Sequence, residues 1–135
     1  MKVINLGEQN SVLNQFVSEI RDVNIQKDSL RFRRNLERIG EIFAYEISKT
    51  LNYVPSEVET PLGIANIQLC NQTIVLGTIL RAGLPLHQGL LNYFDCAQNS
   101  FIAAYRKYGK DNKFTIQIEY ASSPKLEGKI LILAD

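Results

Sequence analysis

Cysteine is scarce, with only Cys70 and Cys96 in 135 residues. Two are too few for a disulfide scaffold and too far apart for a metal knuckle, so the expectation is a pair of buried free thiols. Neither charge sign is in excess: fifteen basic residues face fourteen acidic ones, for a net charge of +1. Binding to a phosphate backbone needs a basic surplus on one face, so nucleic acid is not an expected partner. No apolar run reaches the roughly 18 residues of a membrane span. The opening MKVINLGEQN lacks the apolar core of a secretory leader. A cytosolic protein with no membrane partner is the expectation. Internal repeats and low-complexity tracts are missing too. What is present is core material. A hydrophobic share of 45% excludes a disordered tail, and the length suits one domain.

The first third reads as helical. Val12, Phe16, Ile20 and Val23 recur at helical spacing over a segment from Ser11 to Asp22, with Leu13 and Val17 widening the stripe and Asn10 or Ser11 as cap. Phe32, Leu36, Ile39, Phe43 and Ile47 mark a longer helix from Ser29 to Leu51, capped by Asp28 or Ser29. Its other face, with Arg33, Arg34, Glu37, Arg38 and Glu41, reads as solvated, with modest ion pairs one turn apart.

From Val54 the period changes to two. Ser56–Thr60 and Ile64–Leu69 flank Pro61-Leu62-Gly63 and predict a hairpin. IVLGTIL, from Ile74 to Leu80, has no polar alternation, which suits a strand covered on both faces of a parallel sheet. A helix is predicted from Leu84 to Phe94, with Pro85 in its first turn and Leu86, Leu90 and Phe94 on one face. His87 would pack on the side of that helix. Asn99–Tyr105 reads as a second covered strand, Phe114–Tyr120 as a half-exposed one after a turn at Gly109 to Asn112, and Lys129–Ala134 as a third apolar strand.

Strand, helix, strand with short links is a βαβ unit, and ligands in such sheets bind off the carboxyl ends of the strands. Arg81-Ala82-Gly83 follows the first buried strand, Arg106 the second and Asp135 the third. Two guanidiniums and a carboxylate would then converge on one edge. The turn at Arg81 leads into a helix, whose start offers N–H groups and partial positive charge to an anion. Gly83 would let backbone approach a ligand closely. Arginine presents a planar donor fork that fits phosphate. Together these suit a phosphate or pyrophosphate. A complete glycine-rich phosphate loop is lacking.

The string Thr78-Ile-Leu-Arg-Ala-Gly-Leu84 resembles the ILRAGL motif of uracil phosphoribosyltransferases. Arg31-Phe32-Arg33 leading to Gly40 and Tyr45-Glu46 resembles that family's RFR…G…YE helix. Pro61-Leu62-Gly63, Tyr105-Arg106 and Leu131–Asp135 resemble its hairpin turn, its YR pair and the strand that opens its phosphoribosyl pyrophosphate loop. Two positions depart from the pattern: Gln88 stands where the family has an acidic residue, and Lys107 follows the YR pair.

The resemblance implies an α/β, type I phosphoribosyltransferase-like fold, with N-terminal helices on a mostly parallel sheet and a β-hairpin arm. It implies the front two-thirds of one domain, 1–135, ending where the phosphoribosyl loop begins and lacking the uracil-binding segment. The implied reaction joins uracil to 5-phosphoribosyl 1-diphosphate, giving UMP and diphosphate, with Mg2+ carried by the sugar substrate. Such a piece is expected to be inactive by itself, and the protein to form a dimer or higher homo-oligomer. By position, Arg81 and Arg106 would hold the pyrophosphate, Ala82 and Gly83 would supply the backbone of its turn, and Asp135 would lie near the ribose hydroxyls. A non-proline cis peptide in that turn also belongs to the resemblance. No residue is implied as a covalent nucleophile. Arg31 and Arg33 are expected at a surface or subunit contact. The rival readings are another type I phosphoribosyltransferase and a non-catalytic nucleotide-sensing regulator of the same fold.

Overall fold

A computed structural model of the protein describes residues 3–108 and 113–135. The turn expected at Gly109 to Asn112 lies outside the described residues.

Helix α1 (Leu13–Arg21) and helix α2 (Ser29–Ser48) form the first layer. Both are shorter than their apolar patterns suggest. Ser11 accepts a hydrogen bond from the Leu13 N–H, 3.2 Å, ahead of α1 rather than within it. Val12 and Val23 therefore fall outside the helix and are exposed, and the buried side of α1 centres on Leu13. Asp28 caps α2, its Oδ1 accepting from the N–H groups of Leu30 and Arg31 at 3.1 and 3.0 Å. These bonds satisfy two donors that helical geometry leaves open.

Strands β1 (Tyr53–Thr60) and β2 (Gly63–Cys70) make an antiparallel two-stranded sheet. Thr60 pairs with Gly63 across Pro61-Leu62. Gly63 has φ +124°, a left-handed value that a side chain would strain. Thr60 closes the turn, its hydroxyl donating to the Gly63 carbonyl at 2.7 Å.

The main sheet contains β3 (Ile74–Leu80), β4 (Gln98–Tyr108), β5 (Phe114–Ser122) and β6 (Ile130–Ala134), in the order β5-β4-β3-β6. β3 is parallel to both β4 and β6, whereas β5 is antiparallel to β4. The result is a mixed sheet flanked by helices, an α/β fold. Helix α3 (Leu84–Leu91) joins β3 to β4. Leu76, Ile74, Ile132 and Ala134 face Ala44 of α2 and Leu90 of α3 in the core.

Burial corrects three expectations. β6 is covered on one face only: Ile132 and Ala134 are buried, but Leu131 and Leu133 are 46% and 59% exposed on the side away from the helices. Every described position of β5 is exposed, because it is an edge strand with neither face covered by described residues. Cys70 and Cys96 are free, as expected, but exposed rather than buried, since Cys70 ends the outlying hairpin and Cys96 follows the exit from α3.

Glycines decide how α2 meets α3. A Cβ on Gly89 would run into the Glu37 carbonyl oxygen and lie 2.9 Å from Glu41 N. A Cβ on Gly40 would run into the Leu86 carbonyl and lie 3.0 Å from Gly89 Cα. The two helices touch backbone to backbone, an approach that any side chain at the crossing would prevent. This contact fixes α3 against the middle of α2.

Candidate active site

The parallel strands β3, β4 and β6 point their carboxyl ends the same way, so Arg81, Arg106 and Asp135 all lie at one end of the sheet. Leu80 is in register with Ala103 and Thr78 with Ala134, so β3 and β6 finish at nearly the same level. The Leu80–Arg81 peptide bond is cis.

The turn into α3 is held down tightly. Gly83 donates its N–H to the Ile79 carbonyl, 3.2 Å, and its carbonyl accepts from His87 N at 2.9 Å. Its φ is −70°, so no left-handed conformation calls for glycine there. Space does: a Cβ would run into Thr78 Oγ1 and lie 3.0 Å from the Ala134 carbonyl. Gly83 thus seats the turn on β3 and β6, and this close approach is internal rather than toward a ligand. Its N–H is spent on Ile79, while the Ala82 N–H has no backbone partner among the described residues.

A cleft of about 460 Å³ opens at this corner. The turn supplies Arg81, Ala82 and Gly83, α3 supplies Pro85 and Leu86, and Asp135 enters from the end of β6. Phe32, Arg33 and Leu36 of α2 close the other side. Two guanidiniums against one carboxylate make the lining positive, beside an apolar wall of Phe32, Leu36, Pro85 and Leu86.

The structure therefore brings Arg81, Ala82, Gly83 and Asp135 together. Arg106 shares their end of the sheet but not the cleft lining. β4 runs on past the level of Leu80, and the Arg106 guanidinium lies over the Phe114 ring, 5.1 Å from its centroid. Arg33 is the residue that sequence reasoning assigned elsewhere. The sequence predicts it on a solvated helix face or at a subunit contact, yet it lines the cleft. Its only sequence signal is the spacing Phe32-Arg33-Leu36, which sets a cation beside two apolar wall residues one turn apart.

The surrounding polar groups are structural. His87 is buried and tilted against Phe101, ring centroids 5.3 Å apart. Burial holds its pKa below the ordinary value, opposed by hydrogen bonding to Asn99 and the Leu76 backbone. Gln88, at the departure from the family pattern, donates to Asn92 at 2.9 Å, and Asn92 donates to Glu37 and Glu41 of α2 at 3.1 and 2.8 Å. That network ties α3 to α2 outside the cleft lining. A larger cleft, about 970 Å³, lies among residues 4–7, α1 and the far side of α2, with only Arg21 and Glu46 as charged lining, and it is remote from the strand ends.

The uracil phosphoribosyltransferase family model matches residues 7–134. A uracil phosphoribosyltransferase of Porphyromonas gingivalis is 55% identical over all 135 residues, which cover 62% of that protein. One from Methanothermobacter thermautotrophicus is 38% identical over 128 residues, covering 93% of this chain and 58% of the relative. The solved structure of AQ2163 protein from Aquifex aeolicus matches with a TM-score of 0.77 at 26% identity, over 94% of this chain and 59% of that one. The chain thus spans about three fifths of the length of the relatives it matches. With the cleft formed from the motif residues themselves, these matches place the chain in the uracil phosphoribosyltransferase family.

Proposed function

We propose that this chain carries the phosphoribosyl pyrophosphate site of a uracil phosphoribosyltransferase, acting in one domain on uracil and 5-phosphoribosyl 1-diphosphate to give UMP and diphosphate. The observation that carries the reading is the joint placement of Arg81 and Asp135 in one cleft at the start of α3. In the reaction a ring nitrogen of uracil gives up its proton to solvent and forms a bond to the anomeric carbon as the bond from that carbon to the diphosphate oxygen breaks. The electron pair of the broken bond leaves with the diphosphate, and positive charge builds on the sugar. The protein's tasks are to position both substrates and to stabilise the departing anion.

Arg81 neutralises charge on the leaving diphosphate. The Ala82 N–H and the start of α3 add donors and partial positive charge at the same place. Gly83 contributes by holding that turn on the sheet. Asp135 lies at the ribose side as an acceptor for its hydroxyls. Arg106 supplies a second contact from the longer β4 once substrate extends past the cleft.

The donor set suits Mg2+ in one particular way. No group of three metal-ligating side chains occurs among the described residues, and Asp135 is the one carboxylate of the cleft. Mg2+ commonly keeps several waters and binds through substrate phosphates with one or two carboxylates. Asp135 would be the protein's contribution to holding it, and the ion would supply charge neutralisation at the diphosphate. Exposed apolar side chains on the hairpin (Leu62, Ile64, Ile67) and on β5 (Ile116, Ile118, Tyr120) support a homo-oligomer.

Arg81→Ala is the test. Removing one preorganised donor to a developing anion costs on the order of 10²–10³ in kcat. In an enzyme of the relatives' full length that carries this chain, UMP formation is expected to fall by that factor, with Arg21→Ala, in the other cleft, unchanged within about twofold. Near-normal turnover of Arg81→Ala would remove this cleft from the reaction.

A further inference from the structure

One guanidinium in the cleft has no task in the reaction as described. Helix α2 carries four arginines in its first half, and three are engaged. Arg31 pairs with Glu19 at 3.3 Å and Asp28 at 3.8 Å. Arg34 pairs with Glu37 at 2.6 Å. Arg38 donates to Asn35 Oδ1 at 3.1 Å and lies over the Phe16 ring, 5.2 Å from its centroid. Arg33 has no carboxylate, amide or ring partner among the described residues, and it lines the cleft with Arg81. Arg81 likewise has no ion-pair partner there.

Two unpaired guanidiniums on one cleft repel each other, and an anion between them relieves that repulsion. They also come from different elements. Arg81 stands on the turn after β3, whereas Arg33 stands on α2, which the glycine crossing locks against α3. A single phosphoryl group engages one planar fork well. Two forks on separate supports suit two linked phosphoryl groups. Resting on the reading of the cleft as a diphosphate site, we propose that Arg33 is a further diphosphate-binding residue, bridging with Arg81 so that the cleft prefers diphosphate to monophosphate.

The test is calorimetric titration of inorganic pyrophosphate, and separately of inorganic phosphate, each with Mg2+. It compares the protein with Arg33→Ala, Arg33→Lys, Arg81→Ala and Lys125→Ala, the last removing an exposed charge outside the cleft. A charge-assisted bond at an open cleft corresponds to about a tenfold change in affinity. Arg33→Ala is expected to weaken pyrophosphate about tenfold and phosphate less than about threefold, so the preference shrinks. Arg33→Lys should restore part of the loss, because the charge remains without the fork. Lys125→Ala should stay within about twofold, as a distant screened charge. If Arg81→Ala loses binding while Arg33→Ala stays within about twofold, the Arg33 proposal fails and the diphosphate reading stands. Equal losses for both anions at Arg33→Ala would overturn the bridging arrangement. If the unaltered protein takes up no pyrophosphate, or Arg81→Ala binds it normally, the reading of the cleft and the Arg33 proposal fall together.

Discussion

The junction of α2, α3 and β3 and the β1–β2 hairpin are built on opposite terms. At the junction, backbone meets backbone: Gly40 and Gly89 leave no room for a Cβ, and Gly83 presses on Thr78. In the hairpin, the two strands pair with each other and, among the described residues, share no broad contact with another element. Leu62 at its tip is fully exposed, and a Cβ on Gly63 would meet nothing within 4 Å. Both regions need glycine, but for different reasons. The junction needs the missing volume, and the hairpin needs the backbone angle. The cleft sits beside the junction, so the positions of Arg33 and Arg81 depend on a backbone-to-backbone contact with no room for a side chain.

The strongest test of this contrast is Gly89→Ala. One methyl group would have to displace the Glu37 carbonyl inside α2, which is backbone and has nowhere to go. Overpacking of this kind costs about 3 kcal/mol, and more where backbone must shift. Denaturant unfolding should show that loss. Diphosphate affinity should fall with it, since α2 and α3 carry opposite walls of the cleft. A loss below about 1 kcal/mol would mean the helices slide apart freely, and the junction would not be what positions the arginines.

This contact also shows where sequence reading stops. Large apolar side chains announce themselves by spacing: Ile74–Leu80 is a strand over the residues its composition predicts, and Pro61-Leu62-Gly63 turns the hairpin. Asp28 caps the helix it precedes. The apolar stripe of α2 from Phe32 to Ile47 was equally plain. Yet the residues of α2 buried most deeply include Asn35, Gly40 and Ala44, which no hydrophobic period records. Small residues mark close approach only once the partner helix is known. The same limit explains β6, where KILILA is apolar throughout but only alternate residues are covered. Composition tells what a strand tolerates on each face, not what lies against it. For the site, strand ends followed by Arg81 and Asp135 were legible because parallel topology aligns them. Arg33 was not, because its place in the cleft depends on how far α2 reaches over the turn.

A smaller effect should come from the polar tie between α1 and α2. Asn35 is fully buried and donates to Glu19 at 2.7 Å, while its Oδ1 accepts from Arg38. Asn35→Ala leaves those partners short of a bond, a loss of about 2 kcal/mol. A pH signature accompanies it. Hydrogen bonding from Asn35 is the largest cause holding the Glu19 carboxyl down at about 2, from a usual 4.5, followed by Gln15 and Arg31. A depressed folded pKa adds stability above the unfolded value, and that stability is lost as pH falls from 4.5 toward 2. Urea midpoints measured across that window should drop less steeply in Asn35→Ala than in the unaltered protein. Parallel slopes would show that another carboxylate governs the acid limb.

The smallest effect is expected at the far side of the comparison. Leu62 is fully exposed, and its N–H already bonds the Thr60 hydroxyl at 3.2 Å. Leu62→Ser keeps that backbone bond and removes no buried surface from the monomer. Unfolding at concentrations low enough to keep the protein monomeric should change by less than about 0.5 kcal/mol. If exposed apolar side chains of the hairpin meet a second copy, the effect must grow with protein concentration, because association adds stability by mass action. A loss above about 1 kcal/mol in the monomer would mean the tip packs on its own chain. The hairpin would then be a second rigid junction, and the division between a locked core that positions the cleft and an outlying ribbon free of it would fail.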